Sequence, residues 1–225
     1  MATVTGPFPY DIDNLLGGAV RVLYAPITQA LPADISDVIA MTTPYAAQTG
    51  WVDFGATKES FTYTRGFDTE GFEIQQVPGA ILEDITDLSR TISVSVAELR
   101  PELLAVIEQG TIEADVAAAG GAGAQDIVKF GAFNSVTQYR IAWVSRRHQG
   151  SGTVQESAGP PPVVRGRFFM GVGYRCQITA DEIEFEGAKG ELTGLGLSFK
   201  LFPEPGQTYG EEYGLWASEQ AVAGA

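Results

Sequence analysis

Hydrophobic and polar residues alternate with period two in one segment after another of this chain, each bounded by Gly, Pro, Asp or Asn, which is the pattern of half-buried β-strands. From Asp87 to Ala97, Leu88, Ile92, Val94 and Val96 share one face with Arg90, while Asp87, Ser89, Thr91, Ser93 and Ser95 share the other. The spacing predicts a long strand with one dry and one wet side. Glu59 to Phe67 alternates Phe61, Tyr63, Arg65 and Phe67 with Ser60, Thr62, Thr64 and Gly66. Gly71 to Val77 follows the turn-forming run Asp68-Thr69-Glu70-Gly71, so the two segments are predicted to form a hairpin. Further strands are predicted at Ala19 to Ala25, Val136 to Ser145, Phe168 to Ile178, Glu182 to Glu186 and Leu192 to Phe202. One helix interrupts the series, because Leu99, Leu103, Val106 and Ile107 make an apolar stripe, Pro101 sits in the first turn and Gly110 follows the last apolar residue. A shorter helical turn falls within Ala33 to Met41. Ala117 to Gln125 and His148 to Pro162 read as loops. Neither loop divides the chain into separate cores, so the reading is one mainly β domain over residues 1–225, with an N-terminal arm over about residues 1–18, a Gly/Ala tract at 117–125 and an extended loop at 148–164.

Composition agrees with a turn-rich globular chain: 44% of the 225 residues are hydrophobic and 19% charged, with 27 Gly and 12 Pro. The formal charge of −14 argues against a basic nucleic-acid groove or a patch for anionic membranes. That charge is uneven. Residues 1–110 carry a net −10, whereas 131–175 carry +5 through Arg140, Arg146, Arg147, Arg165, Arg167 and Arg175. The arginine block reads either as an ordinary solvated face or as a surface that meets acidic groups on another copy. No run of about 18 apolar residues occurs, so no transmembrane helix is expected. Residues 1–25 lack the charged leader and apolar run of a secretory signal, and the single cysteine, Cys176, allows no internal disulfide. Synthesis in a reducing cytosol is the expectation.

Catalytic chemistry finds little support. His148 is the only histidine, which leaves no His-based triad with an orienting acid and no pair of imidazole metal ligands. Cys176 lies on an alternating strand with no evident base and reads as structural. Gly121-Ala122-Gly123 does not complete a dinucleotide fingerprint, and Asp11, Asp13 and Asn14 fail the calcium-loop spacing at Leu15. No enzyme, metal or cofactor is expected. Glu182, Glu184 and Glu186 put three carboxylates on one strand face, which is either a solvated edge guarded against aggregation or a functional acidic surface.

Gly50-Trp51-Val52-Asp53-Phe54-Gly55-Ala56-Thr57-Lys58, then Phe61 to Glu70, then Phe72-Glu73-Ile74-Gln75-Gln76, resembles the major tail tube proteins of long, non-contractile-tailed bacteriophages. The order fits as well: a W-x-D-x-G-x-T strand, a hairpin, a polar-faced strand and an AEL helix at Ala97 to Ile107. The resemblance covers Gly50 to Gly110 and is topological elsewhere. It implies a β-sandwich or partial barrel with one packed helix, whose copies form stacked rings, usually hexameric. Their inner strands join into a continuous barrel through which the genome passes. It also implies a virion location after assembly in the host cytoplasm. The implied partners are other copies of the chain, a tape measure protein, a tail terminator and a distal tail protein.

An acidic chain suits a conduit, because Lys and Arg contacts to phosphate would hold the DNA. The lumen-facing candidates are Glu73, Gln75, Asp87, Ser89, Thr91, Ser93 and Ser95. Phe72, Ile74, Ile92, Val94 and Val96 are then expected to pack beneath Leu103, Val106 and Ile107. Ring-interface candidates are the six arginines together with Glu182, Glu184 and Glu186. Rival readings are another β-rich tail component, such as a terminator, a distal-tail ring or the inner tube of a contractile system, and an acidic carbohydrate-active β-sandwich using Trp51, Trp143, Trp216 and the tyrosines as sugar platforms.

Overall fold

Extended backbone follows the alternating segments among the described residues, and strands dominate them. A computed structural model describes residues 16–42, 45–57, 61–74, 77–98, 100–117, 123–132, 135–147, 153–157, 163–179 and 195–219. The strands are β1 (Leu16–Pro26), β2 (Val52–Asp53), β3 (Thr62–Ile74), β4 (Val77–Val96), β5 (Thr111–Val116), β6 (Gln125–Lys129), β7 (Gln138–Arg147), β8 (Thr153–Ser157), β9 (Val163–Gly166), β10 (Phe168–Ile178), β11 (Leu195–Leu201) and β12 (Gly214–Ser218). One helix, α1 (Pro101–Ile107), and a 3-10 turn at Ile35–Asp37 complete the described elements. The main hydrogen-bonded strand order ends in β2 on one side and β3 on the other, so the described strands do not close into a barrel. The chain forms two compact units: Met1–Asp53 with Arg140–Gly173 and Gly214–Ala225, and Phe54–Tyr139 with Tyr174–Tyr213.

In the first unit β1 lies between β2 and β7, and β10 pairs with β12 from Phe169↔Ser218 to Gly173↔Gly214. Val22, Leu23, Tyr24 and Ala25 are buried at consecutive positions, as are Ile141, Ala142, Trp143 and Val144, so these strands are covered on both faces. Gly171 lets the Trp143 indole lie against the backbone of β10, where a Cβ would stand 2.7 Å from Nε1. Asp53 ties the edge: Arg21 donates to its Oδ2 from Nε at 2.9 Å and Nη2 at 2.5 Å, and from Nη1 to the Tyr45 carbonyl. The 3-10 turn is capped by Asp34, whose Oδ1 accepts from the Ser36 amide at 2.7 Å while Asp37 bonds back to the Asp34 amide.

In the second unit β4 runs between β3 and β11, and β11 pairs onward with the C-terminal end of β10. Ile92, Val94 and Val96 are buried with Leu195, Leu197 and Phe199, and Phe54 stacks on Phe199 at 5.9 Å. The helix buries Leu103, Val106 and Ile107 as its stripe requires, and it packs against β5 and β6. It begins at Pro101 rather than Ala97, because a residue preceding proline is held extended, as Arg100 is at φ −100°, ψ 150°. Gln109 closes its other end at φ 53°.

Three expectations need correction. Asp68 to Gly71 is not a turn: β3 runs through it, a register irregularity at Asp68/Thr69 absorbs the local signal, and the ladder continues to Ile74↔Val77. The supposed loop at 148–164 holds β8 and the start of β9, which pair with each other and are built on the β-branched runs Thr153-Val154 and Val163-Val164. The Ala/Gly tract gives way at Gln125 to β6, which pairs with the unforeseen β5.

Candidate assembly surface

β4 is 20 residues long, yet β11 pairs with it only from Thr91 to Val96. From Val77 to Arg90 its sole partner among the described strands is β3, whose other edge is open. The second unit therefore extends a two-stranded ribbon whose β4 side is on the order of 40 Å long. Cross-strand pairing assigns its faces. Thr62↔Ser93, Thr64↔Thr91, Gly66↔Ser89 and Asp68↔Asp87 share the wet side, and Tyr63↔Ile92, Arg65↔Arg90 and Phe67↔Leu88 share the other. On β11 the wet side continues through Gly196, Ser198 and Lys200, opposite Ser95, Ser93 and Thr91.

The two sides differ chemically. On the wet side Ser93 and Asp87 are exposed, Ser89, Thr91 and Ser95 are half-buried, and Ser93 Oγ lies 3.4 Å from Ser198 Oγ. Asp68 directly faces Asp87, both exposed, an arrangement that favours water over a dry contact. Between Arg65 and Arg90 the sequence holds six carboxylates and no Lys or Arg. The opposite side starts as core at Ile92, but it loses its cover along the ribbon: Phe67 is 56% and Ile85 62% exposed. Among the described residues, an apolar face without a neighbour and a strand edge without a partner thus occur on one element.

No protein-family model matches the chain, and no curated protein sequence matches it.

The W-x-D-x-G-x-T run has a structural task at each marked position. Trp51 is buried and Asp53 holds Arg21. Gly55 adopts φ 89°, where a Cβ would stand 2.6 Å from the Glu98 carboxylate, and Thr57 bridges to Val96. Glu98 accepts from Arg100 Nε at 2.8 Å and from the Ala56 amide at 3.2 Å, and these bonds hold its carboxyl below the usual range.

The other predicted residues are scattered. Glu73 lies on β3 with its backbone opposite Ala80, while Gln75, Glu182, Glu184 and Glu186 lie outside the described residues. The arginine block does not form one surface. Arg140 and Arg167 are buried, and Arg140 Nε donates to the Gln29 carbonyl at 2.7 Å, so these two side chains serve the interior of their own unit. Arg175 Nε donates to Gln138 Oε1 at 2.6 Å, Arg146 is half-buried, and Arg147 and Arg165 are placed only as backbone positions on β7 and β9. Of the proposed sugar platforms, Trp51 and Trp143 are buried, whereas Trp216 is 52% exposed and stacks on Phe169. Among the described residues no three His, Cys, Asp or Glu side chains are placed to hold a metal, and no helix is long and apolar enough to cross a membrane.

Sequence reasoning missed the wet-side residues contributed by neighbouring strands: Thr62, Thr64 and Asp68 on β3, and Ser198 and Lys200 on β11. Their alternation was visible, but which strands flank β4 was not.

Proposed function

We propose that this chain is a structural subunit that self-assembles into stacked rings, forming the tail tube of a long-tailed bacteriophage and an acidic-lined conduit for its genome. The observation that carries the reading is the β3–β4 ribbon, with a hydroxyl and carboxylate side, an apolar side exposed at Phe67 and Ile85, and a strand edge that no described strand pairs. A second copy covers the apolar side and pairs the edge, and repetition of such a head-to-tail contact closes a ring. The wet side, with Asp87, Ser89, Thr91, Ser93 and Ser95, then faces water in the channel. DNA passes as an unbound passenger, because among the described residues this side offers Lys200 as its only cation against Asp68, Asp87 and their acidic neighbours. The β-sandwich or partial-barrel architecture, the hexameric ring, the virion location and the tape measure, terminator and distal tail partners follow from the resemblance over Gly50 to Gly110.

Negative-stain electron microscopy of the purified protein at high concentration tests this reading. Rings or tubes with a central hole are the expected result, and tubes formed by the protein alone separate it from a terminator. A chain that stays monomeric at every concentration and salt level overturns it. Carbohydrate binding is the second reading, favoured by the half-exposed Trp216 on Phe169. Glycan-array binding that is lost in Trp216→Ala is its signature.

A further inference from the structure

Beside the base of the ribbon, Arg90 lies over the ring of Tyr213, its guanidinium carbon 4.3 Å from the centroid. Arg65 is the cross-strand partner of Arg90, on the same side of the ribbon. It is exposed and makes no hydrogen bond, ion pair or ring contact among the described residues. Two like charges directly opposite one another disfavour the ribbon unless each finds a compensating group. Arg90 has one in Tyr213, and Arg65 has none among the described residues of its own copy.

The loop that ends in Tyr213 supplies the complement. Two consecutive turns build it: Gln207 N donates to Glu204 O at 3.5 Å, and Glu211 N to Thr208 O at 2.9 Å. Gly206 at φ 88° and Gly210 at φ 94° fill the third positions, where type II turns require positive φ. Glu204 N donates to Glu212 O at 2.8 Å and closes the loop at its neck. At the second position of the outer turn stands Tyr209, 96% exposed. A hydrogen-bonded loop that holds a tyrosine wholly in solvent is preorganised for contact, since docking the ring costs little further ordering. Glu211 beside it is an exposed carboxylate, and Glu204 is half-buried at the neck.

We propose that Tyr209 of one copy docks on Arg65 of a second copy, repeating between subunits the Arg90–Tyr213 contact made within each. The inference rests on the self-assembly reading and names its contact. The tyrosine ring covers the guanidinium and the exposed Phe67 and Ile85 beside it, and the exposed Glu211 offsets the doubled positive charge of Arg65 and Arg90. The complementarity favours a second copy as the occupant: one chain carries both an arginine-bearing apolar face and an exposed tyrosine beside the Glu211 carboxylate, and among the described residues neither the Arg65 nor the Tyr209 side chain has a partner.

The test mixes two variants, Arg65→Cys and Tyr209→Cys, under conditions where the wild type assembles, and adds a short bis-maleimide. Cys176 is buried and does not compete. A cross-linked dimer from the mixture, absent from either variant alone, is the expected result. In parallel, Arg65→Ala and Tyr209→Ala each raise the concentration needed for assembly by roughly tenfold, and the double variant is little worse than either single one. None of the three lowers the melting temperature, because both side chains are exposed and Arg65→Ala relieves a like-charge pair. Wild-type assembly with no cross-link, or with unchanged assembly of the alanine variants, overturns this contact and leaves the tube reading standing. Failure of the wild type to assemble at all overturns the tube reading, and this contact with it.

Discussion

Adjacent positions on β4 give the sharpest check on which side of the ribbon is dry. Ile92 has 0% exposure and lies across from Tyr63 on β3 and Phe199 on β11, whereas Ser93, the next residue, is exposed. Replacing Ile92 with alanine removes three methyl or methylene carbons from a site enclosed on both flanks by paired strands. The cost is about 3 kcal/mol, within the usual range for large-to-small core changes. For a chain of this length that lowers the melting temperature by about 6–12 °C. Ser93→Ala removes only a 3.4 Å hydroxyl contact to Ser198 in a solvated setting, worth no more than ~0.5 kcal/mol. Thermal and urea melts of both variants, followed by tryptophan fluorescence at concentrations too low for assembly, measure the difference directly. Equal destabilisation, or a larger loss from Ser93→Ala, would show that the register is inverted and would remove the assignment of the wet side.

Gly171→Ala drives a Cβ into the Trp143 ring and should cost about 1–3 kcal/mol, read as a melting shift with altered tryptophan emission. Arg21→Ala or Asp53→Ala should each destabilise by about 1–2 kcal/mol, and a double-mutant cycle should return a coupling of roughly 1 kcal/mol; additive losses would remove the pair as a tie between β1 and β2. The side-chain and backbone bonds from Ser36 hold the Asp34 carboxyl below its ordinary value of 3.8. Its contribution is thus fully present above that value and is lost as pH falls through the lower folded-state value. The stability gap between wild type and Asp34→Asn should be constant near neutral pH and close only in strong acid; a gap independent of pH down to full protonation would contradict the cap.

How far the sequence revealed the fold depended on whether a strand had one wet side. β4 did, so the split between Ile92, Val94, Val96 and Ser89, Thr91, Ser93, Ser95 was readable from alternation and matches the burial found. In β1 and β7 alternation carried no such information, because consecutive residues Val22–Ala25 and Ile141–Val144 are all covered. Pairing was the larger gap. Asp68 to Gly71 has turn composition, but its partners Asp87 to Glu83 lie across a ladder that composition cannot announce. Charge counting placed six arginines together in sequence without showing that Arg140 and Arg167 point into packed interior. The Tyr209 loop was legible in principle, since Pro205-Gly206 and Tyr209-Gly210 each put glycine where a type II turn needs it.

The placement of β11 also sets the order of events on the ribosome. β3 and β4 are contiguous and zip as a local hairpin within microseconds, but the strand that seals β4 from Thr91 to Val96 is translated roughly a hundred residues later. For several seconds of synthesis, therefore, each nascent chain displays its ribbon before its core exists. Neighbouring nascent chains on one message are then close together with sticky edges bared. The carboxylates massed between Arg65 and Arg90 set like charge against like charge at that stage, which opposes premature pairing of those edges.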